Sequence, residues 1–217
     1  MRKNFAVIAI YSLIGFIIVL ALSTFTYLFL SHNTLYLSIG AILFLLIFSA
    51  IVLGFIKLIF QLIDKEYYDF DFSDIVPKLK MIFSYLLLFT LVFTLSFALS
   101  NAIEKFQDGF VKYISGIITG GIIQFFLIFY FPICACFIVD DSSGPFESVL
   151  QSFQLIRGNF LRYLLLFVVI EAMALIGIFT VIGMLFAVPF GNIILVVAYR
   201  KLIYSHQDVE DDITETH

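Results

Sequence analysis

Residues 138 to 160 read IVDDSSGPFESVLQSFQLIRGNF and place Asp140, Asp141 and Glu147 within eight positions of one another. Three carboxylates at that spacing, with Ser142 and Ser143 beside them, could hold a divalent cation through oxygen ligands. A second use of the same residues needs no metal. Asp140 and Asp141 then end a helix at the water boundary, and Glu147 caps the helix that follows. We adopt this second reading, so no metal and no catalytic residue is assigned.

A different polar set lies inside the greasy part of the chain. Glu171 is about twelve residues into an apolar run, hence ~18 Å deep and near the bilayer midplane. Ionisable residues at that depth are costly and face a bundle interior or a water-filled cavity. Gln124 and Asn192 fall at comparable depth in two neighbouring runs, so the expected cluster is Glu171, Gln124 and Asn192. Its chemistry would be hydrogen bonding between helices, worth about 0.6 kcal/mol per bond, or a proton or polar-substrate relay. The first is preferred, because no second ionisable residue within the membrane continues a chain from Glu171.

The elements that must carry these side chains follow from composition. Of 217 residues 62% are hydrophobic and 13% charged, and the mean hydropathy is +1.11. A soluble domain has roughly 25% charged residues, so the composition is that of a polytopic membrane protein. Six apolar runs are long enough to span, at about 5–30, 35–63, 82–100, 113–139, 159–179 and 183–200. Apolar residues run continuously rather than alternating, which points to helices. The expected fold is all-α: a transmembrane bundle of about six helices with two short amphipathic helices on the cytoplasmic interface. The first run is too long for a signal-peptide core and is expected to be retained.

Ten of the twelve Lys and Arg residues fall on one side of these spans, leaving Lys105 and Lys112 on the other. The positive-inside rule then puts both termini in the cytoplasm. Lys57, near the end of the second span, is expected to snorkel toward headgroups. Cys134 and Cys136 have neither disulfide nor zinc spacing and read as small apolar fillers.

Two connections on the cytoplasmic side are amphipathic. In the second, Gly144 suits the N-cap, Pro145 the first helical position and Glu147 the third. Phe146, Val149, Leu150, Phe153 and Ile156 then form a stripe opposite Ser148, Gln151, Ser152 and Gln154. Gly158 suits a left-handed end, and Asn159 can cap the next span. In the first connection, residues 64–81, Asp74 is the N-cap, Pro77 lies in the first turn, and Ile75, Leu79 and Ile82 make the stripe. Both connections lead into the pentapeptide YLLLF, at 85–89 and 163–167. The shared layout suggests a decayed duplication, 35–100 and 113–180, within a single membrane domain of residues 1–203. Residues 204–217 form an acidic tail without periodicity and are expected to be disordered.

The sequence VDDSSGPFESVLQSFQLIRGNFLRYLLLF, followed by the hairpin IGIFTVIGMLFAVPFGNIILVVAYRKL, resembles the C-terminal half of a broad family of bacterial integral membrane proteins. That family includes the membrane domain attached to some glycerophosphodiester phosphodiesterases and the YciC-like inner-membrane proteins. The shared marks are the acidic pair, the Gly-Pro helix start, a Gly-Asn junction and a Gly/Pro-marked hairpin ending in Tyr-Arg. They cover about residues 115–203. The resemblance implies a six-helix protein of the bacterial cytoplasmic membrane and no particular chemistry.

Two activities attached to similar proteins find no support in these residues. A glycerophosphodiesterase needs a soluble barrel with metal-binding carboxylates and histidines, and no stretch here is polar enough. A carotenoid oxygenase holds iron with four histidines, and this chain has three, His32, His206 and His217. The chain is therefore expected to be no enzyme and to need no cofactor. Gly116 and Gly120, at GxxxG spacing, are expected to pack helices closely, within the chain or in a homodimer. The expected partners are the lipid bilayer and a membrane protein or second copy, not nucleic acid. A transporter or lipid-handling protein built on the Glu171 cluster is the alternative to a structural role.

Overall fold

The computed structural model describes residues 2–30, 34–64, 75–106, 109–178 and 181–214. Among these, the chain is helical with short connections. Helix α1 (Arg2–Phe25) ends in a wide π-turn (Thr26–Leu30), and α2 (Thr34–Asp64) and α3 (Leu79–Glu104) follow. The fourth span is composite: α4 (Phe110–Phe125), a π-turn (Phe126–Tyr130) and α5 (Phe131–Asp140). Then come α6 (Pro145–Gly158), α7 (Phe160–Ile178) and α8 (Val181–Thr214).

Six helical segments are long and apolar enough to cross a membrane: Ala6–Leu28, Leu35–Ile63, Leu79–Glu104, Phe110–Asp140, Phe160–Gly177 and Phe186–Tyr204. Large apolar side chains such as Ile17, Phe93, Leu161 and Leu165 point outward from them. Water would not tolerate so much exposed apolar surface, whereas lipid solvates it. The fold is thus an all-α bundle of a multi-pass membrane protein.

Packing is concentrated at the end of the bundle that carries α6. Helix α5 is its pillar, with every residue from Ile133 to Val139 buried. A helix that is apolar on all faces must be covered on all faces, and α2, α3, α6 and α8 each pack against α5. At the opposite end α4 buries no residue at all. Gly116 and Gly120 lie on that uncovered stretch, and a Cβ at either would meet nothing within 4 Å. Their expected packing within the chain is not observed.

The break between α4 and α5 has a visible cause. Pro132 lacks the N–H that would bond the Ile128 carbonyl, and its ring crowds the preceding turn. The helix widens there instead of breaking, with the Phe131 N–H reaching back to the Phe126 carbonyl. Two aromatic pairs brace this segment. Tyr85 and Phe89 set their edges on Phe131, at 5.1 and 6.2 Å between centroids. Tyr163 and Phe167 do the same to Phe129, at 4.8 and 5.0 Å. The two YLLLF strings therefore clasp neighbouring rings of one pillar with the same two side chains.

Several local expectations change. Over Ile75–Lys78 the chain is not α-helical: Lys78 is extended (φ −63°, ψ 146°) and α3 starts only at Leu79. Pro77 disfavours helical geometry in the residue before it, so a helix cannot run through that point. Leu79 and Ile82 of that expected interfacial helix belong to α3 instead, and its expected N-cap Asp74 lies outside the described residues. Lys57 is engaged by the same connection, its Nζ donating to the Val76 carbonyl at 2.9 Å. At the other end of the chain α8 continues to Thr214. No Gly or Pro follows Gly191 to stop it, and this continuation replaces the coil expected from residue 204.

Asp141 ends α5 and Ser142 turns the chain with φ 55°, a left-handed conformation that disfavours a side chain. Ser142→Gly is therefore expected to raise stability by about 0.5–1 kcal/mol. A small upward shift in the melting temperature of the detergent-solubilised protein would register it, and a downward shift would contradict it.

Candidate functional site

A cavity of about 290 Å³ opens between the composite fourth span, α7 and α8, with Glu171 and Asn192 in its wall. Ile128 contributes from the widened turn, Pro132 from the start of α5, Phe167 and Ile170 from α7, and Gly191 from α8. The fourth span is irregular here through its π-turn, while α8 stays α-helical past the buried Pro189. Broken backbone at membrane depth is tolerated where it faces protein or a cavity. The α7–α8 hairpin closes tightly above the pocket, since a Cβ on Gly177 would come within 2.8 Å of the Ala187 Cβ.

Glu171 and Asn192 are both half-buried on this wall. The Asn192 Nδ2 donates to the Val188 carbonyl of its own helix at 2.9 Å. Gln124 does not join them: it is exposed on α4 and absent from the pocket wall. In an unbroken α-helix Gln124, Ile128 and Pro132 would form one stripe. The π-turn inserts an extra residue between them and rotates Gln124 away by about 100°. What remains is a carboxyl and a carboxamide in an apolar pocket. Such a pair can bind one polar group or pass a proton, but it contains no nucleophile activated by a base. Among the described residues, no three His, Cys, Asp or Glu side chains gather as a metal site.

The residues around the acidic pair and α6 divide among several tasks. Asp140 accepts from Arg200 Nη1 at 3.0 Å and from the Tyr199 hydroxyl at 3.2 Å. The Arg200 guanidinium also lies 4.7 Å above the Phe60 ring, and Tyr199 meets both Phe60 and Phe137 edge-on. The acidic mark at one end of the resemblance and the Tyr-Arg mark at the other are thus one contact. Sequence reasoning treated them as separate helix ends. The available signal was their opposite charge at the same face of two spans.

Asp141, by contrast, is exposed. Glu147 accepts from the Gly144 N–H at 3.2 Å, and Pro145 opens α6. Gly158 is still helical and has no positive φ. A single residue, Asn159 (φ −132°, ψ 28°), joins α6 to α7, so no left-handed turn is needed. The Asn159 carbonyl accepts the Tyr163 N–H at 3.0 Å and so starts α7, while its side chain points back to the Leu155 carbonyl.

Helix α6 has three faces rather than two. Ser148, Ser152, Leu155 and Ile156 are buried against the bundle. Phe146, Leu150 and Phe153 form an exposed apolar arc, and Glu147 and Gln154 an exposed polar one. The buried serines are satisfied locally: Ser148 donates to the Pro145 carbonyl and Ser152 to that of Ser148. Ser152 also lies 3.3 Å from the Cys134 sulfur. Cys134 and Cys136 are free thiols in the interior.

No family model, curated protein or solved structure matches the chain. Fold and surface define its class, a multi-pass helical membrane protein.

Proposed function

We propose that the protein is a structural or accessory component of the bacterial cytoplasmic membrane, related to the YciC-like group, with both termini in the cytoplasm and no catalytic machinery. The supporting observation is where rigidity has been placed. The well-packed end unites α2, α5, α6 and α8 around Asp140, Tyr199 and Arg200, and the charge asymmetry supports a cytoplasmic position for that end. There α6 lies in the interface, its aromatic arc in lipid and its polar arc in water. Such a helix fixes the depth of the bundle and presents a formed surface to a partner.

A second reading, lipid handling or transport, is favoured by one observation, the cavity that reaches Glu171. One experiment separates the two. Purified protein in liposomes is expected to leak protons and scramble lipid no faster than empty liposomes. Glu171→Gln is then expected to change stability by no more than about 0.6 kcal/mol and nothing else. A flux in the native protein that vanishes in Glu171→Gln would replace the structural reading with the second.

A further inference from the structure

A second groove, of about 410 Å³, lies between α7 and α8 on the α6 end of the bundle. Leu166, Ile193, Val197 and Leu202 line it, and Arg162 and Lys201 stand beside them. Both cations are exposed, and neither pairs with a carboxylate among the described residues. Lys201 contrasts with its neighbour Arg200, which is turned inward onto Asp140. The chain thus keeps one cation for itself and leaves two at the groove.

Their depth is that of a headgroup. Arg162 is the third residue of the span Phe160–Gly177, and Lys201 lies three before the end of the span Phe186–Tyr204. At ~1.5 Å per residue each is within about 5 Å of the membrane boundary. The apolar walls continue inward, with Leu166 one turn beyond Arg162, Val197 one turn beyond Lys201 and Ile193 two turns beyond it. Charge at the rim and hydrocarbon below reproduce the layout of one phospholipid. Basic pockets between transmembrane helices recognise anionic headgroups.

We propose that this groove is a binding site for an anionic phospholipid of the surrounding bilayer. The headgroup phosphate sits between Arg162 and Lys201, and an acyl chain lies along Leu166, Ile193 and Val197. A zwitterionic lipid brings its own cation to the same place and is the poorer occupant. The proposal does not depend on what the Glu171 pocket does.

Native mass spectrometry of the full chain in a non-ionic detergent tests this, with phosphatidylglycerol and phosphatidylethanolamine of identical acyl chains as probes. Two basic side chains predict a preference for phosphatidylglycerol of roughly 30-fold. The Arg162→Gln, Lys201→Gln double variant is expected to lose it. Arg157→Gln, an exposed cation on α6 outside the groove, is expected to retain it. Val197→Trp keeps both charges but fills the groove, and should abolish retention of either lipid. An unchanged preference in the double variant would overturn the proposal. So would an equal loss in Arg157→Gln, which would mean diffuse surface charge, or full lipid retention in Val197→Trp. A two-chain mass that the groove variants reduce to one would assign the groove to a second copy instead.

Discussion

Asp140→Ala is expected to destabilise the folded bundle by about 3 kcal/mol, the low end of the cost of breaking a buried ion pair from one side. The low end applies because the two side chains retain 21% and 19% of their exposure, so water screens part of the orphaned charge. The cost has two sources. Arg200 loses the carboxylate 3.0 Å from its Nη1, and the buried Tyr199 hydroxyl loses its acceptor. Phe60 still covers the guanidinium, which makes rotation out to the headgroups harder. Asp140→Asn should cost less, since an amide oxygen can still accept from Tyr199. Asp141→Ala, one residue along but exposed, is expected to be near neutral. Unfolding titrations in mixed micelles, followed by circular dichroism, measure these differences. The Asp140→Ala, Arg200→Ala cycle supplies the decisive number, a coupling of about 1–2 kcal/mol. Strict additivity of the two single variants would mean that the pair holds nothing together.

The residues involved explain why this contact escaped the sequence. Span limits follow from unbroken apolar length, so the six crossing segments were legible, as was the start of α6 from Gly144, Pro145 and Glu147. Those signals are local. Asp140 and Arg200 are sixty residues apart, and each alone looks like the polar end of a span. Pro132 was visible as a residue type, but whether a helix answers it with a kink or a wide turn depends on what surrounds it. Here the rings clasping Phe129 and Phe131 hold the segment straight enough to widen, and the register change removes Gln124 from the cluster. Half of that polar site was therefore readable: Glu171 and Asn192 line one pocket because they are on adjacent helices without an intervening π-turn.

Helix α6 makes the same point about faces. A two-way division into apolar and polar sides assigns Ser148 and Ser152 to water. In the proposed interfacial position α6 meets protein, lipid and water at once, and the closest contact selects small side chains. Serine fits that contact because its hydroxyl bonds a carbonyl of its own helix, which leaves no donor stranded. The aromatic stripe is thereby released to face outward, the reverse of its place on a soluble protein.

Phe129→Ala carries the other large expected effect. The ring has no exposure, and Phe125, Tyr163 and Phe167 lie with centroids 4.7, 4.8 and 5.0 Å from it. Truncating a buried Phe in a water-soluble core costs about 3–5 kcal/mol, part of it transfer and part cavity. In a bilayer the transfer part shrinks, because the unfolded helices are also solvated by hydrocarbon. The packing part stays, so about 3 kcal/mol is expected. Tyr163 adds a second strand to the same knot, its hydroxyl donating to the Phe129 carbonyl at 2.7 Å. Tyr163→Phe should therefore cost about 1 kcal/mol while leaving the rings in place. Phe93, which is 66% exposed to the lipid side, offers the contrast, since Phe93→Ala removes contact only with lipid and is expected to be near neutral. Comparable losses in Phe93→Ala and Phe129→Ala would refute a pillar braced by packing. If Phe131→Ala matches Phe129→Ala, the two YLLLF clasps carry equal weight.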